Sequence, residues 1–335
     1  MGQALIVPDS AVIVTMRQWK AALLRDERTQ MQEMARRWLN VERRLTAQME
    51  ALAWQMDAIK RDGSTVSREL LMNDARYRQL LVQLTGELER YSDYTARTIT
   101  DRQRQLARLG ITHAENAITA QGITAGFNRL PVEAVEYMVG LTGSGSPLRT
   151  LIAQSWPLAA DGLTQELING VALGYNPRKT ARMMAQGATG SLDRMMVISR
   201  TETLRVYRQA NRESYLASGV VNAYKRLATH DSRVCAACLM DEGHTYELGE
   251  EMPEHPQGRC TMVPLVEGVP NPKWKLGREW FEEQPADTQR DILGKGRYYA
   301  WRNGDFDLGQ IVTVKPNPIW GPSIAVTTLT ELVGA

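Results

Sequence analysis

The sequence predicts a mainly α protein that carries a small α+β zinc-knuckle module: a long N-terminal helical hairpin is followed by a compact helical core. Three observations predict this. Large apolar residues recur at steps of three and four through most of the first third of the chain, and shorter stretches of the same period follow as far as Tyr215. Beyond them Cys235-Ala-Ala-Cys238 is followed by His255 and Cys260, a spacing that suits one metal ion. The 335 residues allow two or three cores. A hydrophobic content of 43% against 23% charged residues excludes a disordered chain. Forty Lys+Arg against 38 Asp+Glu leave a net charge of +2, so no long-range field draws the protein onto nucleic acid or an acidic membrane.

The apolar stretches Ala4 to Val7 and Ala11 to Thr15 are split by Pro8, Asp9 and Ser10, with no basic segment before them, so neither a signal peptide nor a membrane span is expected. Myristoylation on Gly2 would want Ser or Thr where Ile6 stands. The expected setting is a cytoplasm. Three cysteines bunched between Cys235 and Cys260 do not make a disulfide framework, which leaves free thiols or metal ligands.

From Met16 to Ile59 the residues Met31, Met34, Trp38, Val41, Leu45, Met49, Leu52 and Met56 trace one helix face, and Asp62-Gly63-Ser64 stops it. A second run, Leu70, Tyr77, Leu81, Leu84, Leu88 and Tyr91, continues toward Leu106, and Gly110 is expected to close it. Residues 1–110 thus read as an antiparallel coiled hairpin arm. Its arginines alternate with glutamates, the pattern of a solvated face, and its Met and Trp stripe is seam packing. Such an arm suits docking to a protein partner.

Residues 111–147 read as a helical connector ending in a flexible linker, Gly140-Leu-Thr-Gly-Ser-Gly-Ser-Pro147. Residues 148–220 form the helical core. Leu163 to Leu173 has helical spacing, Pro177 suits the first turn of the next helix, and Ser191 starts a long helix held to Gly219. Val221 to Leu227 alternates as a strand and opens a small α+β module over 221–270. Residues 271–335 hold C-terminal helices and a proline-bearing tail beyond Val312, with order or strand docking both open there.

Two sulfurs on one tight turn and a His/Cys pair on a second supply four soft or borderline donors: Cys235, Cys238, His255 and Cys260. Zinc in a closed structural site is the expected cofactor, with three reduced thiols and a surface histidine as the plain alternative. His244 competes with His255, but His255-Pro256-Gln257-Gly258-Arg259-Cys260 has the rigid proline and flexible glycine of a metal turn. A zinc deaminase is excluded, because its ligand-x-Glu motif is missing and four protein ligands leave no place for water. A metal-dependent nuclease finds only His230, Asp231 and His244 nearby, and remains a weak alternative. No phosphate-binding loop, dinucleotide fingerprint or nucleophile elbow occurs, so no catalytic residue is assigned. On the long helix Arg200 and Glu202 face different ways, whereas Glu202 and Arg205 can pair, and a buried ion pair tying this helix to the zinc unit is expected.

The order of these motifs carries a resemblance. Arg200-Thr201-Glu202 on a helix, Gly219 before a strand and Asp231-Ser-Arg-Val-Cys235-Ala-Ala-Cys238 come first. His255-Pro256, Arg259-Cys260, Trp280-Phe281, Gln289-Arg290 to Leu293-Gly294, Arg297-Tyr298 and Arg302-Asn303-Gly304 follow. Over about residues 150–312 the chain resembles phage minor head proteins of the Mu F-like head morphogenesis family. That family's pattern usually has a further cysteine where this chain has Gly258, which places His255 more firmly in the ligand set. The resemblance implies a structural component of a tailed-phage head, in few copies, inside the capsid near the portal and in the host cytoplasm during assembly. The partners it implies are the portal protein and the major capsid or scaffold protein. Arginines on the arm and around Arg178, Lys179 and Arg182 could touch packaged double-stranded DNA weakly and in a salt-sensitive way. A zinc-stabilised DNA-binding adaptor and a DNA-processing protein are the competing classes.

Overall fold

The computed structural model describes residues 9–124, 126–143, 145–154, 156–188 and 190–334. The readings placed on Gly2, Ala4 to Val7 and Ser144 lie outside the described residues. Helix α1 spans Ala11–Arg61, α2 Arg68–Asn73 and α3 Ala75–Thr119; α4 (Leu148–Ala153), α5 (Trp156–Ala172), α6 (Pro177–Ala188) and α7 (Gly190–Ser218) follow. Strand β1 (Val221–Leu227), helix α8 (Ala236–Met240), β2 (Thr245–Glu247) and β3 (Thr261–Val266) come next. Helices α9 (Gly277–Glu282), α10 (Ala286–Leu293) and α11 (Lys295–Asn303), strands β4 (Val312–Lys315) and β5 (Ser323–Val326), and α12 (Leu329–Val333) complete the chain. The fold is mainly α, as expected. Among the described residues no helix is long and apolar enough to cross a membrane.

The chain divides into two compact units. One takes the described chain up to Leu24, Arg102–Gly145 and the described chain from Thr201; the other takes Arg25–Asp101 and Ser146–Arg200. These units cut across the segments read from chain order, because α1, α3 and α7 each contribute residues to both.

In the all-helical unit the two long helices form the expected antiparallel hairpin. Tyr91 donates its hydroxyl to the Met34 carbonyl at 2.9 Å, Arg44 Nε meets Glu87 at 3.0 Å, and Gln55 reaches Asp74 at 2.5 Å, so rising numbers on one helix meet falling numbers on the other. The stripe from Met31 to Met56 is buried, as are Tyr77, Leu84, Leu88 and Tyr91. The hairpin is not a bare arm, however. Tyr77 shares a 2.8 Å hydrogen bond with Thr164 of α5, Lys60 caps the α5 carbonyls of Val171 and Ala172 at 2.6 and 2.8 Å, and Glu27 pairs with Arg200 of α7 at 2.5 Å. Both long helices carry more apolar surface than one seam can cover, and the shorter helices bury the remainder. Helices α5 and α6 touch backbone to backbone, since a Cβ on Gly162 would lie 2.2 Å from the Gly187 carbonyl oxygen.

In the other unit α3 runs straight through Gly110, where its sequence predicts an end. A Cβ there would lie 2.8 Å from both the Ala210 Cβ and the Tyr207 carbonyl oxygen, so this glycine permits a close helix approach and does not break the helix. The expected flexible linker is also held down. Thr142 is buried, the Leu141 carbonyl accepts from Gln103 and Arg205, and the Gly140 amide donates to Gln103 at 2.8 Å. Polar anchoring of the backbone substitutes here for the core-forming side chains the stretch lacks.

Strand β1 lies between β2 and β3, antiparallel to both, with Tyr224 opposite Tyr246 and Pro264, and Lys225 opposite Thr245 and Val263. Tyr224 and Arg226 share the face packed toward the cysteines, following the two-residue period of a strand. The tail beyond Val312 is ordered as an antiparallel β4-β5 pair followed by α12.

Candidate metal centre

Two short turns bring the donors together. Cys235 caps α8 and Cys238 lies within it, while the turn from His255 to Cys260 feeds directly into β3. Pro256 makes the second turn rigid and Gln257 adopts a left-handed φ of 66°. Arg208 and Thr201 of α7 hold that turn: the Gln257 amide donates to Thr201 Oγ1 at 3.0 Å, and Arg208 donates to the Gly258 carbonyl at 3.3 Å.

The ligand atoms of Cys235, Cys238 and His255 lie within 4.8 Å of one another, and so do those of Cys238, Glu254 and Cys260. Cys238 joins the two groups. The four residues singled out by spacing are thus divided between two overlapping groups, with Glu254 as a further donor that spacing did not single out. This cluster could hold a metal ion. Cys238 and Cys260 are buried and Cys235 is partly so.

The protonation pattern fits a ligand set. Hydrogen bonding from Cys238, reinforced by His255, brings the Cys235 thiol down to about 4 against the effect of burial. Cys238 is pushed well up by its bonds to Cys235 and Cys260 and by burial, which favours its protonated form. Cys260 is lowered, first by its bond to Cys238. Burial opposes a charge on His255, but the neighbouring Cys235 thiolate raises it to about 9. His255 Nδ1 lies 2.7 Å from the Pro256 carbonyl, which fixes the ring and leaves Nε2 toward the sulfurs. A thiolate-rich, imidazole-bearing site of this kind is suited to a borderline-soft divalent ion.

Around the donors sits a buried ionic shell. Arg226, wholly buried on β1, donates to Asp241 at 2.7 Å, Glu254 at 2.5 Å and the Pro253 carbonyl at 2.5 Å, and reaches Cys238 Sγ at 3.8 Å. Burial works against its charge, but Cys260, Glu254 and Cys238 outweigh that and raise its pKa. Lys20 of α1 donates to the Leu227 carbonyl at 2.9 Å, and burial lowers it to about 8. Glu254 Oε2 is buried without a hydrogen-bond partner, and a Cβ on Gly258 would lie 1.6 Å from it. The Glu254 carboxylate thus fills the space beside Gly258. Its position next to His255 was the available sequence signal; Arg226 offered only an arginine at an inward strand position.

The other residues considered lie elsewhere. His244 is exposed, 3.5 Å from Asp241 and tilted against Tyr246, outside both donor groups. His230 pairs with Glu242 at 2.5 Å and stacks on Trp280, while Asp231 holds Arg259 through two bonds of 2.6 and 2.8 Å. Glu202 and Arg205 do pair, at 2.8 Å. That pair ties α7 to Trp320 and to the Gly143 amide, whereas the tie from α7 to the metal turn is made by Thr201 and Arg208. The i,i+3 pairing was readable from spacing; its remaining partners arrive from distant parts of the chain. No protein-family model, curated protein or solved structure matches the chain.

Proposed function

We propose that the chain is a structural minor head protein of a tailed phage, acting in head morphogenesis on the portal or the inner capsid, with a zinc-stabilised module at its centre. The observation that carries this reading is that Cys235, Cys238 and His255 form one donor group and Cys238 and Cys260, with Glu254, an overlapping one, reached in the motif order by which the chain resembles that family. Those four residues would hold the ion; Lewis-acidic zinc would cross-link the two turns and supply about 10–16 kcal/mol of apparent binding energy to folding. With four protein donors no position is left for substrate water, which suits a rigid, non-enzymatic module.

The chain's own groups do the rest. Arg226 neutralises the thiolates from inside the sheet, His255 is oriented by the Pro256 carbonyl, and Thr201 and Arg208 fix the second turn on α7. The helical unit offers a large surface for a portal, capsid or scaffold protein, and the exposed Arg182 beside Arg178 and Lys179 on α6 is placed for weak contact with packaged DNA. Co-purification with portal protein or head particles, together with about one zinc per chain by elemental analysis, is the expected result. A folded, metal-free protein that ignores both portal and capsid shells overturns the reading.

A further inference from the structure

Cys238 belongs to both donor groups, so a bond made at its sulfur dismantles both at once. Cys235 stands one helical turn away: it is the N-cap of α8, and its carbonyl accepts from the Leu239 amide at 3.0 Å. The first and fourth α-carbons of such a turn lie about 5 Å apart, inside the span of about 4.4–6.8 Å that a disulfide bridges without backbone movement. The two sulfurs already lie within 4.8 Å of each other. Their exposure is unequal. Cys235 is partly open to solvent, whereas Cys238 and Cys260 are only 1% and 3% exposed. An oxidant arriving from solvent therefore meets Cys235, and Cys238 lies behind it as the partner that resolves the oxidised sulfur. Cys260 is closed off immediately before β3.

Both turns are also held by bonds that do not pass through the sulfurs. Thr201 and Arg208 fix the turn from His255 to Cys260, and Arg259 within it is gripped by Asp231 at 2.6 and 2.8 Å. Asp241, at the end of α8, pairs with Arg226 at 2.7 Å. Joining Cys235 to Cys238 withdraws both sulfurs of the first turn and leaves His255, Cys260 and Glu254, the last already accepting from Arg226 at 2.5 Å. A closed zinc site takes four protein donors, so the ion is lost while these ties remain.

We propose that Cys235 is a peroxide-sensitive modification site, and that its oxidation closes a Cys235–Cys238 disulfide and releases the ion. This rests on the reading of a zinc-bearing virion protein, which leaves a reducing cytoplasm for an oxidising exterior. On the ion both sulfurs are thiolates. The Cys235 sulfur attacks one peroxide oxygen, the O–O bond breaks, hydroxide leaves and a sulfenic acid is formed. The Cys238 sulfur then attacks the Cys235 sulfur and displaces a second hydroxide. Two electrons have passed from the sulfurs to the peroxide, and the two hydroxides take protons from solvent and leave as water.

The zinc-loaded full chain, treated with a small excess of hydrogen peroxide, tests the proposal. A chromogenic chelator reads zinc release, and peptide mapping after alkylation of the remaining thiols in denaturant reads the linkage. Zinc should be lost in step with formation of the Cys235–Cys238 disulfide, with Cys260 recovered as an alkylated thiol. Dithiothreitol with added zinc should then restore all three thiols and the metal. A bridge from Cys238 to Cys260, or zinc loss with Cys235 oxidised to the sulfinic acid while Cys238 stays a thiol, would overturn the proposal. So would survival of all three thiols under peroxide that oxidises glutathione in the same tube. A folded chain that takes up no zinc before treatment fails the metal reading instead, and its linkage map still decides the pairing.

Discussion

Replacing Gly258 by alanine probes the packing of the metal turn against its ionic shell. The new Cβ would lie 1.6 Å from Glu254 Oε2 and 2.9 Å from the His255 carbonyl oxygen, so the carboxylate has to leave. Leaving is more than a rotamer change, because Glu254 Oε1 accepts from the wholly buried Arg226 at 2.5 Å. Removing one partner of a buried ion pair costs about 3–5 kcal/mol. Asp241 stays on Arg226 Nε at 2.7 Å, which puts the expected loss near the lower bound, about 3 kcal/mol. In a Glu254→Ala background the obstructing oxygen is absent, and Gly258→Ala should then cost only about 1 kcal/mol, from the crowded His255 carbonyl. Urea unfolding of the four proteins, followed by circular dichroism, gives the coupling directly; about 2 kcal/mol is expected. Equal costs of Gly258→Ala in both backgrounds would refute the contact and with it the role assigned to Glu254.

Three further outcomes follow from the geometry. To ligate a metal, His255 must give up the proton it holds up to about 9 and Cys238 the one it holds well above the usual thiol range, so chelator competition should show affinity falling at least about tenfold per unit as pH drops; a pH-independent affinity removes His255 from the ligand set. Gly162→Ala should push α5 from α6, with a Cβ only 2.2 Å from the Gly187 carbonyl oxygen, and lower stability by about 1–3 kcal/mol in thermal denaturation; an unchanged midpoint denies the backbone contact. The Arg44 hydrogen bond holds the Glu87 carboxyl below its ordinary range, so its contribution is present above that range and vanishes as pH falls through the lowered value. Glu87→Gln should therefore cost about 0.5–1 kcal/mol at neutral pH and make the acid decline in stability shallower, and an unaltered acid limb would show that the pair contributes nothing.

Periodic segments were the most legible part of this chain. The stripe from Met31 to Met56 and the run from Tyr77 to Tyr91 are buried as their spacing indicated, and Val221 to Leu227 is a strand. Gly110 departs from its expected role because a single sequence does not distinguish a glycine that ends a helix from one that lets another helix close in; the deciding atoms belong to Tyr207 and Ala210, far along the chain. The polar linker departs from its expected flexibility for a similar reason, since Gln103 and Arg205 immobilise it from outside. At the candidate metal centre the four donors were visible because ligands on tight turns follow a short spacing rule. Lys20, Arg226, Asp241 and Glu254 obey no such rule: they are assembled by burial and charge compensation, which become readable only once the sheet and α1 are in place.

The interleaving of the two units bears on how a ribosome delivers this protein. The residues from Arg25 to Asp101 and from Ser146 to Arg200 all emerge before the cysteines do, so the all-helical unit has its complete set of residues while its companion holds only the helix turns around Val12 to Leu23 and the stretch from Arg102. Those early apolar turns, with Val12, Ile13 and Met16 destined to cover Leu227, Val263 and Trp274, must wait until the last third of the polypeptide arrives. Nascent chains stalled once Arg200 has left the exit tunnel but before Leu227 has would thus protect the helical unit from protease while leaving Val12, Ile13 and Met16 without their cover.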